Sequence, residues 1–276
     1  MQAIKLNYKH LIVVFVFFLG VENGFCQFRF TNEIGAVVGP VAFQSDFGER
    51  NDFETNSGNT GFGIGLIHYM NFTYLKRASS RTRRTFFNQH FKIRNELSFN
   101  TTQLNHFGKW VDEARRSEGA EKLRRHSGSA TNFNIGSQLE FHLKNIKEFE
   151  SMEFAIMPYI SLGLQYTIFS PTVETSFGTG SINDQNNFFD SWVNATNPNF
   201  AEDSFLFDGI SSTLSVTGSV GARYKLTILS DLVFDLKWQY FLDDRVDGLN
   251  HNLASNKSND WLVWLNVGYV HYLDNN

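Results

Sequence analysis

Apolar and polar side chains alternate strictly in long segments of this chain, and the pattern is clearest near the C-terminus. In residues 260–273, one face carries Trp261, Val263, Leu265, Val267, Tyr269 and Leu273, and the other carries Asn266, Gly268, Val270 and Tyr272. Because side chains of a strand alternate with a period of two, this pattern predicts a β-strand with one apolar face. The segment exceeds the roughly 9–11 residues that a tilted strand needs to cross a bilayer. A buried strand of a soluble β-sandwich is the alternative for this segment alone.

Seven further segments alternate in the same way. They span residues 33–43, 61–72, 91–104, 132–143, 154–169, 213–226 and 232–242. Each is longer than the usual globular strand of about 5–6 residues. An even set of long strands can close on itself and leave no unpaired edge, as a bilayer requires. We therefore predict an all-β fold, a single eight-stranded antiparallel transmembrane β-barrel of the outer-membrane type.

Alternation alone does not say which face of the barrel points inward. A lipocalin-like soluble barrel would place the apolar faces inside. Two observations favour apolar faces in contact with lipid. The chain contains 29 Phe residues, and its Trp, Tyr and Phe residues lie near strand ends, as in the aromatic girdles of membrane barrels. The opposite faces combine glycines with charges of both signs, which suits a narrow and crowded lumen.

The predicted lumen network consists of charged residues on the polar faces of the strands. They are Glu33, Lys92, Arg94, Glu96, Glu140, Arg223, Lys225, Asp235 and Lys237. Burial of an unpaired charge costs several kcal/mol, so each needs a partner. Across the sixth and seventh segments we expect Asp235 to lie beside Arg223 or Lys225, and Lys237 to neutralise an acid such as Asp235. The network either packs the lumen or forms a proton or ion pathway, and the narrow bore of an eight-stranded barrel favours packing.

The N-terminus predicts a secretory signal peptide at residues 1–26, with the barrel at 27–276. Lys5 and Lys9 form a basic region before an apolar run that is too short to span a membrane. Cleavage after Cys26, the only cysteine, would leave a chain without disulfide or thiol chemistry. Lipidation of Cys26 is the alternative, but the residues before it lack the usual leucine and small side chains. The formal net charge of −4 gives no sign of a nucleic-acid partner.

The connections between the segments are asymmetric. With a periplasmic N-terminus, the outer connections at 44–60, 105–131, 170–212 and 243–259 are long, and the inner ones at 144–153 and 227–231 are short. The inner turn at 73–90 is longer than a hairpin requires. It carries the basic residues Lys76, Arg77, Arg81, Arg83 and Arg84. This turn could stay solvated, contact the phosphates of outer-membrane lipid, or dock an acidic periplasmic protein, and we predict the protein partner.

No catalytic constellation is complete in the sequence. His142 and Glu140 form the nearest acid–base pair, but no Ser is fixed beside them and no G-x-S-x-G motif occurs. We therefore predict a non-enzymatic protein without a cofactor. A lipid-modifying barrel enzyme and a narrow pore are the alternatives.

One acidic segment invites comparison with a calcium loop. Asp243, Asp244 and Asp247 precede Gly248, but Arg245 stands where a ligand is needed and no Glu follows at the required spacing. The sequence therefore predicts no metal site.

Short motifs carry a resemblance to a known family. They are NEIG at 32–35, GPV at 39–41, GFGIG at 61–65, QLEF at 138–141, PYISLG at 158–163, GARYKL at 221–226 and DWLVWLNVGY at 260–269. The chain resembles a small outer-membrane barrel family of flavobacteria and other Bacteroidota and, more distantly, PorG-like proteins of the type IX secretion system. The resemblance implies an anchor that links the outer membrane to a periplasmic ring of the secretion or gliding machinery. It implies no catalytic residues.

Overall fold

The computed structural model describes residues 31–49, 52–72, 85–195, 205–251, 253 and 259–273, which form one closed antiparallel barrel. The strands are β1 (Thr31–Gln44), β2 (Thr60–Asn71), β3 (Phe91–Asn105), β4 (His126–His142), β5 (Ile156–Thr175), β6 (Ser211–Thr227), β7 (Ser230–Phe241) and β8 (Trp261–Tyr272). Each strand pairs with its sequence neighbours, and β8 pairs with β1, where Gly268 lies opposite Val37. The predicted eight-stranded barrel is confirmed. The predicted signal peptide lies outside the described residues, and so do Lys76, Arg77, Arg81, Arg83 and Arg84 of the basic turn.

Five short α-helices lie in the described parts of the connections. They are α1 (Phe53–Asn56), α2 (Phe86–His90), α3 (Glu118–Arg124), α4 (Ile146–Glu150) and α5 (Asp190–Ala195). Short polar residues start four of them, because the side chains of Asp52, Thr85, Ser117 and Asn145 each accept a backbone N–H of the first turn. Among the described residues, no helix is both long enough and apolar enough to cross a membrane.

The barrel is inverted relative to a soluble protein. Its outward side chains are large and apolar, with Leu66 57% and Leu162 66% exposed, whereas Lys92, Arg94 and Glu140 point inward and are fully buried. An apolar belt of this kind is stable against lipid, and the closed ladder leaves no backbone edge in the hydrocarbon. The soluble alternatives are therefore wrong, and the protein is an outer-membrane barrel.

Aromatic residues mark both edges of the apolar belt. Trp238 and Tyr240 stack at the outer end of β7, with ring centroids 5.9 Å apart, and Trp261 of β8 lies directly opposite Tyr240. Tyr224 and Tyr269 face outward near the inner end, where both lie opposite Leu232 at the start of β7. Rings at these two levels suit the headgroup regions of a bilayer.

Several strands extend further toward the outer end than the sequence predicts. β4 begins at His126 instead of residue 132, and β5 continues to Thr175 instead of residue 169. The prediction stopped early because the outward side chains there are polar. Ser129 and Thr172, for example, face outward and share a cross-strand hydrogen bond of 2.8 Å. The hydrogen-bonded ladder therefore continues above the apolar belt, where side chains meet water.

The outward face of β7 gives a direct test of membrane depth. Leu236 lies at the middle of the strand and faces outward, so Leu236→Arg should lower the free energy of unfolding in vesicles by about 2–4 kcal/mol, the cost of an arginine at the bilayer midplane. Ile228→Arg, in the short turn before β7, should cost about 0–1 kcal/mol because it lies at the interface. Equal losses from the two variants, measured by denaturant unfolding, would contradict this placement.

Candidate functional site

The middle of the lumen holds five charged side chains, here called the central network: Arg94, Glu96, Glu140, Asp235 and Lys237. Arg94 donates to Asp235 Oδ2 at 2.8 Å and to Glu96 Oε2 at 2.9 Å, and Glu140 Oε1 lies 3.6 Å from Arg94 Nη1. Lys237 Nζ donates to the other oxygen of Glu96 at 2.5 Å. Since β3 and β7 lie on opposite sides of the closed sheet, the Arg94–Asp235 and Lys237–Glu96 bonds cross the lumen and tie its walls together.

A second group, here called the inner network, lies nearer the periplasmic end: Glu33, Lys92, Arg223, Lys225 and Asp231. Glu33 bonds Lys92 through one carboxylate oxygen and accepts from Arg223 Nη2 through the other at 2.5 Å. Arg223 Nε also donates to Asp231 Oδ2 at 3.0 Å, and Lys225 Nζ lies 3.0 Å from Asp231 Oδ1. Basic and acidic groups therefore alternate through the network, as charges at this burial require.

The structure places all nine predicted lumen residues inside the barrel and in ion pairs, but two expected pairings are wrong. Lys237 bonds Glu96 instead of Asp235. Asp235 bonds Arg94 across the lumen, because it lies opposite Gly221 in the hairpin and not opposite Arg223. Arg223 and Lys225, which were expected to pair with Asp235, pair with Asp231 instead. The sequence did not identify Asp231 as a lumen residue. Asp231 falls one position before the predicted seventh segment, yet it keeps the period of two with Asp235, and that signal could have identified it.

The corrected pairing of Lys237 can be measured with a double-mutant cycle. Lys237→Met and Glu96→Gln should be coupled by about 0.5–3 kcal/mol, because their side chains share a buried ion pair. Lys237→Met and Asp231→Asn belong to different networks and should be additive within about 0.3–0.5 kcal/mol. Unfolding free energies of the single and double variants give both values. Coupling of Lys237 to Asp231 as strong as to Glu96 would contradict the two-network arrangement.

The short helix α4 closes the inner mouth of the barrel. Ile146 and Phe149 of α4 are fully buried, and Lys225 Nζ lies 5.0 Å from the centre of the Phe149 ring. Glu150 accepts a hydrogen bond of 2.9 Å from Asn71 and lies 3.7 Å from Lys92. The second inner turn is thus a plug whose apolar face and terminal carboxylate both fit the inner network.

Toward the outer end, the lumen filling changes from ions to amides and then to apolar rings. Gln239 donates to Asn134 at 2.9 Å and to Ser215 at 2.8 Å. Above this layer, Phe43 stacks on Phe241 with ring centroids 5.9 Å apart. The fully buried side chains Leu104, Phe169 and Leu262 complete the apolar layer. Side chains therefore fill the lumen from the inner plug to the outer rim.

The pair considered for acid–base chemistry lies inside this packed lumen. His142 Nε2 is 3.4 Å from Glu140 Oε2, and both side chains are fully buried. The ring of Tyr159 and the central network surround the pair.

The outer connections fold into a cap with an aromatic centre. Phe47 stacks on His106 and His126 at centroid distances of 5.0 and 4.8 Å, and the two histidines share a hydrogen bond of 2.7 Å. Trp192 of α5 packs on both histidines and stacks on His251 at 5.5 Å. Four connections thus meet at one cluster, which the sequence analysis missed because its members are far apart in the chain.

A cavity of about 350 Å³ lies between these rings and the connection from β3 to β4. Trp110, Phe107, Trp192 and His251 line it, and Arg115, Asp46 and Glu49 add charges of both signs. This volume lies within the usual range for small-molecule sites, in which apolar walls carry a few polar groups. Chemically, the cavity suits a flat apolar ligand.

Burial makes the cap sensitive to acid. Burial lowers the pKa of His106 from 6.5 to about 3, and its neighbours Phe47, His126 and Trp192 offer no negative charge. In an opened cap His106 takes up a proton below pH 6.5, whereas in the closed cap it does not until near pH 3. The contribution of His106 to cap stability is therefore complete above pH 6.5 and falls as the pH drops through this window. We expect a loss of roughly 1.4 kcal/mol per pH unit from this group.

Protease cleavage of the outer loops, followed against pH, measures this loss. His106→Gln keeps a hydrogen-bonding partner for His126 but does not titrate, so cleavage should rise less steeply between pH 6.5 and pH 3. His90→Gln, at the inner end of the barrel, should leave the cleavage profile unchanged. An identical profile for His106→Gln and the native protein would contradict the assignment.

Four carboxylates meet beneath the cap and are here called the aspartate cluster: Asp46, Asp244, Asp247 and Asp260. One oxygen each of Asp46, Asp244 and Asp260 lies within 4.8 Å of the others. Burial raises the pKa of Asp247 to about 7, and burial together with the negative charge of Asp247 raises the pKa of Asp260. Asp244 and Asp247 belong, with Asp243, to the acidic segment whose sequence is compared with a calcium loop above. The folded chain adds Asp46 and Asp260, while Arg245 turns aside to Asp243 at 2.8 Å.

No protein-family model and no curated protein matches the chain. Similar solved structures include Neisserial surface protein A, at 11% identity over 87% of this chain and 96% of that one, with a TM-score of 0.40. A major outer membrane protein from Thermus thermophilus has 15% identity over 88% and 99% and a TM-score of 0.45. The outer membrane protein OprG from Pseudomonas aeruginosa has 12% identity over 88% and 97% and a TM-score of 0.39. At these identities the likeness concerns the fold alone, and the resemblance to PorG-like proteins stays a prediction.

Proposed function

We propose that this protein is a non-enzymatic and non-conducting anchor in the outer membrane, and that its periplasmic face docks a protein of a secretion or gliding machine. The observation that carries the proposal is the filled lumen. Two ion-paired networks, an amide layer and an apolar layer occupy it in sequence, and α4 plugs its inner mouth. A barrel filled in this way offers its two end surfaces for function instead of a passage.

The absence of an enzymatic role is part of the same proposal. The pair His142 and Glu140 supports it, because a fully buried pair that faces an ion network cannot reach a lipid substrate. Burial also supports the non-conducting role, since Arg94 and Lys237 bond acids on the opposite wall or beside them and so occupy the middle of the narrow barrel.

The inner surface beside the basic turn offers a fixed base for docking. Phe87 of α2 stacks on Phe91 with centroids 4.7 Å apart, and Phe86 contacts Phe141 at 6.1 Å. Both Phe86 and Phe87 are exposed outward, where rings suit the headgroup level of the inner leaflet. The segment at 73–84 directly precedes the start of this helix region in the sequence. Its five basic side chains in the sequence give it the charge to attract an acidic protein surface.

The docking role can be tested by charge removal on one side of the membrane at a time. Changing Arg81, Arg83 and Arg84 to Ser should leave the barrel folded but reduce co-purification of a periplasmic partner from detergent-solubilised membranes. Added salt should weaken the native interaction, because screening lengths fall below about 8 Å above physiological ionic strength. Changing Arg115, Arg116 and Arg125 to Ser removes the same charge from the outer side and should have no effect.

Two results would contradict the proposal. One is an unchanged yield of every periplasmic partner from the inner triple variant at all salt concentrations, which would leave the turn solvated. The other is a loss of binding to anionic lipid vesicles without any loss of protein partners, which would assign the basic turn to lipid phosphates.

A second candidate function rests on the cavity in the cap, whose lining includes Trp110 and Trp192. We propose that it receives a small aromatic molecule at the cell surface. Indole is a suitable probe for saturation-transfer NMR, and its signals should weaken with Trp110→Ala, because Trp110 is partly exposed at the cavity. Trp238→Ala, on the lipid-facing side of β7, is the control. Equal signals from the native protein and Trp110→Ala would contradict this role.

A further inference from the structure

The aspartate cluster brings together the connection after β1 and both ends of the connection between β7 and β8. Asp46 follows β1, while Asp244 and Asp247 follow β7 and Asp260 precedes β8. The backbone N–H of Asp46 donates to Asp247 Oδ2 at 2.8 Å, and the N–H of Asp247 donates to Asp260 Oδ2 at 3.0 Å. These two bonds fix the spacing of the carboxylates before any ligand is present.

One carboxylate oxygen in the cluster is buried and lacks a hydrogen-bond donor. Asp260 is fully buried, and its Oδ1 has no hydrogen-bond partner among the residues that the structure describes. Within the same residues, neither Asp247 nor Asp260 lies within ion-pair distance of a Lys or Arg. A buried charged carboxylate without a donor costs several kcal/mol unless a proton or a cation neutralises it.

We propose that Asp46, Asp244 and Asp260 bind one Ca²⁺ ion, with Asp247 as the residue that positions them. All three ligands are hard oxygen donors, which suit Ca²⁺ and Mg²⁺ better than softer metals. Oxygens that are both bound to Ca²⁺ at 2.3–2.6 Å lie at most about 4.6–5.2 Å apart, whereas the Mg²⁺ limit is about 4.2 Å. The observed bound of 4.8 Å falls within the span that two Ca²⁺ ligands allow.

The ion would act on the cap as well as on its ligands. Asp46 is followed by Phe47, the centre of the aromatic cluster, and the connection after β7 carries His251, which stacks on Trp192. Ca²⁺ that links Asp46 to Asp244 and Asp260 therefore holds together two of the four connections that meet at the aromatic cluster. Its removal should loosen the cap and leave the strands intact.

The test uses the full-length protein, purified in detergent and stripped with a chelator. Titration calorimetry should show one Ca²⁺ bound per chain. Protease cleavage of the outer loops should slow in proportion to 1 + [Ca²⁺]/Kd, or roughly 100-fold at a concentration of 100 Kd. Asp260→Asn keeps the shape of the side chain and an acceptor for Asp247 N–H, and it should lose both effects. Asp243→Asn, which changes the neighbouring aspartate that pairs with Arg245, should retain both.

Three outcomes would overturn the proposal. The first is no bound Ca²⁺ at up to about 10 mM, well above the ~1 mM dissociation constants of weak extracellular calcium modules. The second is an equal Ca²⁺ affinity of Asp260→Asn and the native protein. The third is a chelated native protein whose cap already resists cleavage and gains nothing from Ca²⁺, which would mean that the chain neutralises the cluster itself.

Discussion

Arg94→Met should lower the free energy of unfolding of the barrel by about 3–5 kcal/mol, the usual cost of removing one partner from a buried ion pair. Arg94 is the positive charge shared by Asp235, Glu96 and Glu140. Glu96 keeps Lys237 in the variant, but Asp235 and Glu140 lose their Arg partner inside the lumen. Methionine matches much of the apolar length of the side chain, so the loss is chiefly electrostatic. Denaturant unfolding in lipid vesicles measures it.

A second substitution separates unpaired charge from lost packing. Arg94→Met combined with Asp235→Asn should cost less than the sum of the single changes, because the amide no longer needs a cation. Arg245→Met is the matched control, since Arg245 pairs with Asp243 on the partly exposed cap. That change should cost only about 0–1 kcal/mol. Additive losses in the lumen, or equal losses from Arg94→Met and Arg245→Met, would contradict the central network.

Trp264→Ala should cost about 3–5 kcal/mol, the range for loss of a large aromatic side chain from a packed interior. Trp264 is fully buried in the lumen, and its indole N–H donates to Gly39 O at 3.2 Å. A Cβ on Gly63 would lie 2.7 Å from the indole, so the glycine makes room for the ring. Lys237 Nζ also lies 5.1 Å from the ring centre. The variant therefore leaves a cavity and removes the aromatic ring that the Lys237 ammonium faces.

Trp238→Ala is the control for Trp264→Ala. The two tryptophans lie on neighbouring strands at adjacent register positions, but Trp238 faces outward and is 42% exposed. Its removal leaves no internal cavity, so we expect a distinctly smaller loss of stability in the same unfolding experiment. A larger loss from Trp238→Ala would mean that the inward and outward faces of the barrel are assigned the wrong way round.

The strands were predictable because lipid and a narrow lumen impose a period of two on side chains. Leu66, Ile135 and Leu236 face outward as the alternation predicts, and closure follows from the need to pair every strand edge. The strand ends were less predictable. Above the apolar belt the outward residues are polar, as at Ser129 and Thr172, so the ladder continues without the alternation that marks it in the sequence.

Pairing across the lumen could not be derived from neighbouring strands. The sequence suggested Asp235 with Arg223 because hairpin neighbours are easy to align, yet Arg94 reaches Asp235 from the opposite wall. Such contacts depend on the barrel's diameter and stagger, which alternation does not encode. The cap was missed for a related reason. Asp46 and Asp260 come together only when β8 closes against β1 and the outer connections fold over the rim.

The most direct test of the central claim is the electrical conductance of the purified protein in a planar bilayer. A lumen filled by the central and inner networks and plugged by α4 should give no steady single-channel current at moderate voltages, while a porin in the same bilayer serves as the positive control. Arg94→Met combined with Trp264→Ala, if it inserts, should raise the conductance by opening the packed centre. Regular, reproducible channel openings from the native protein would contradict the account, because they would show that ions pass through the packed lumen.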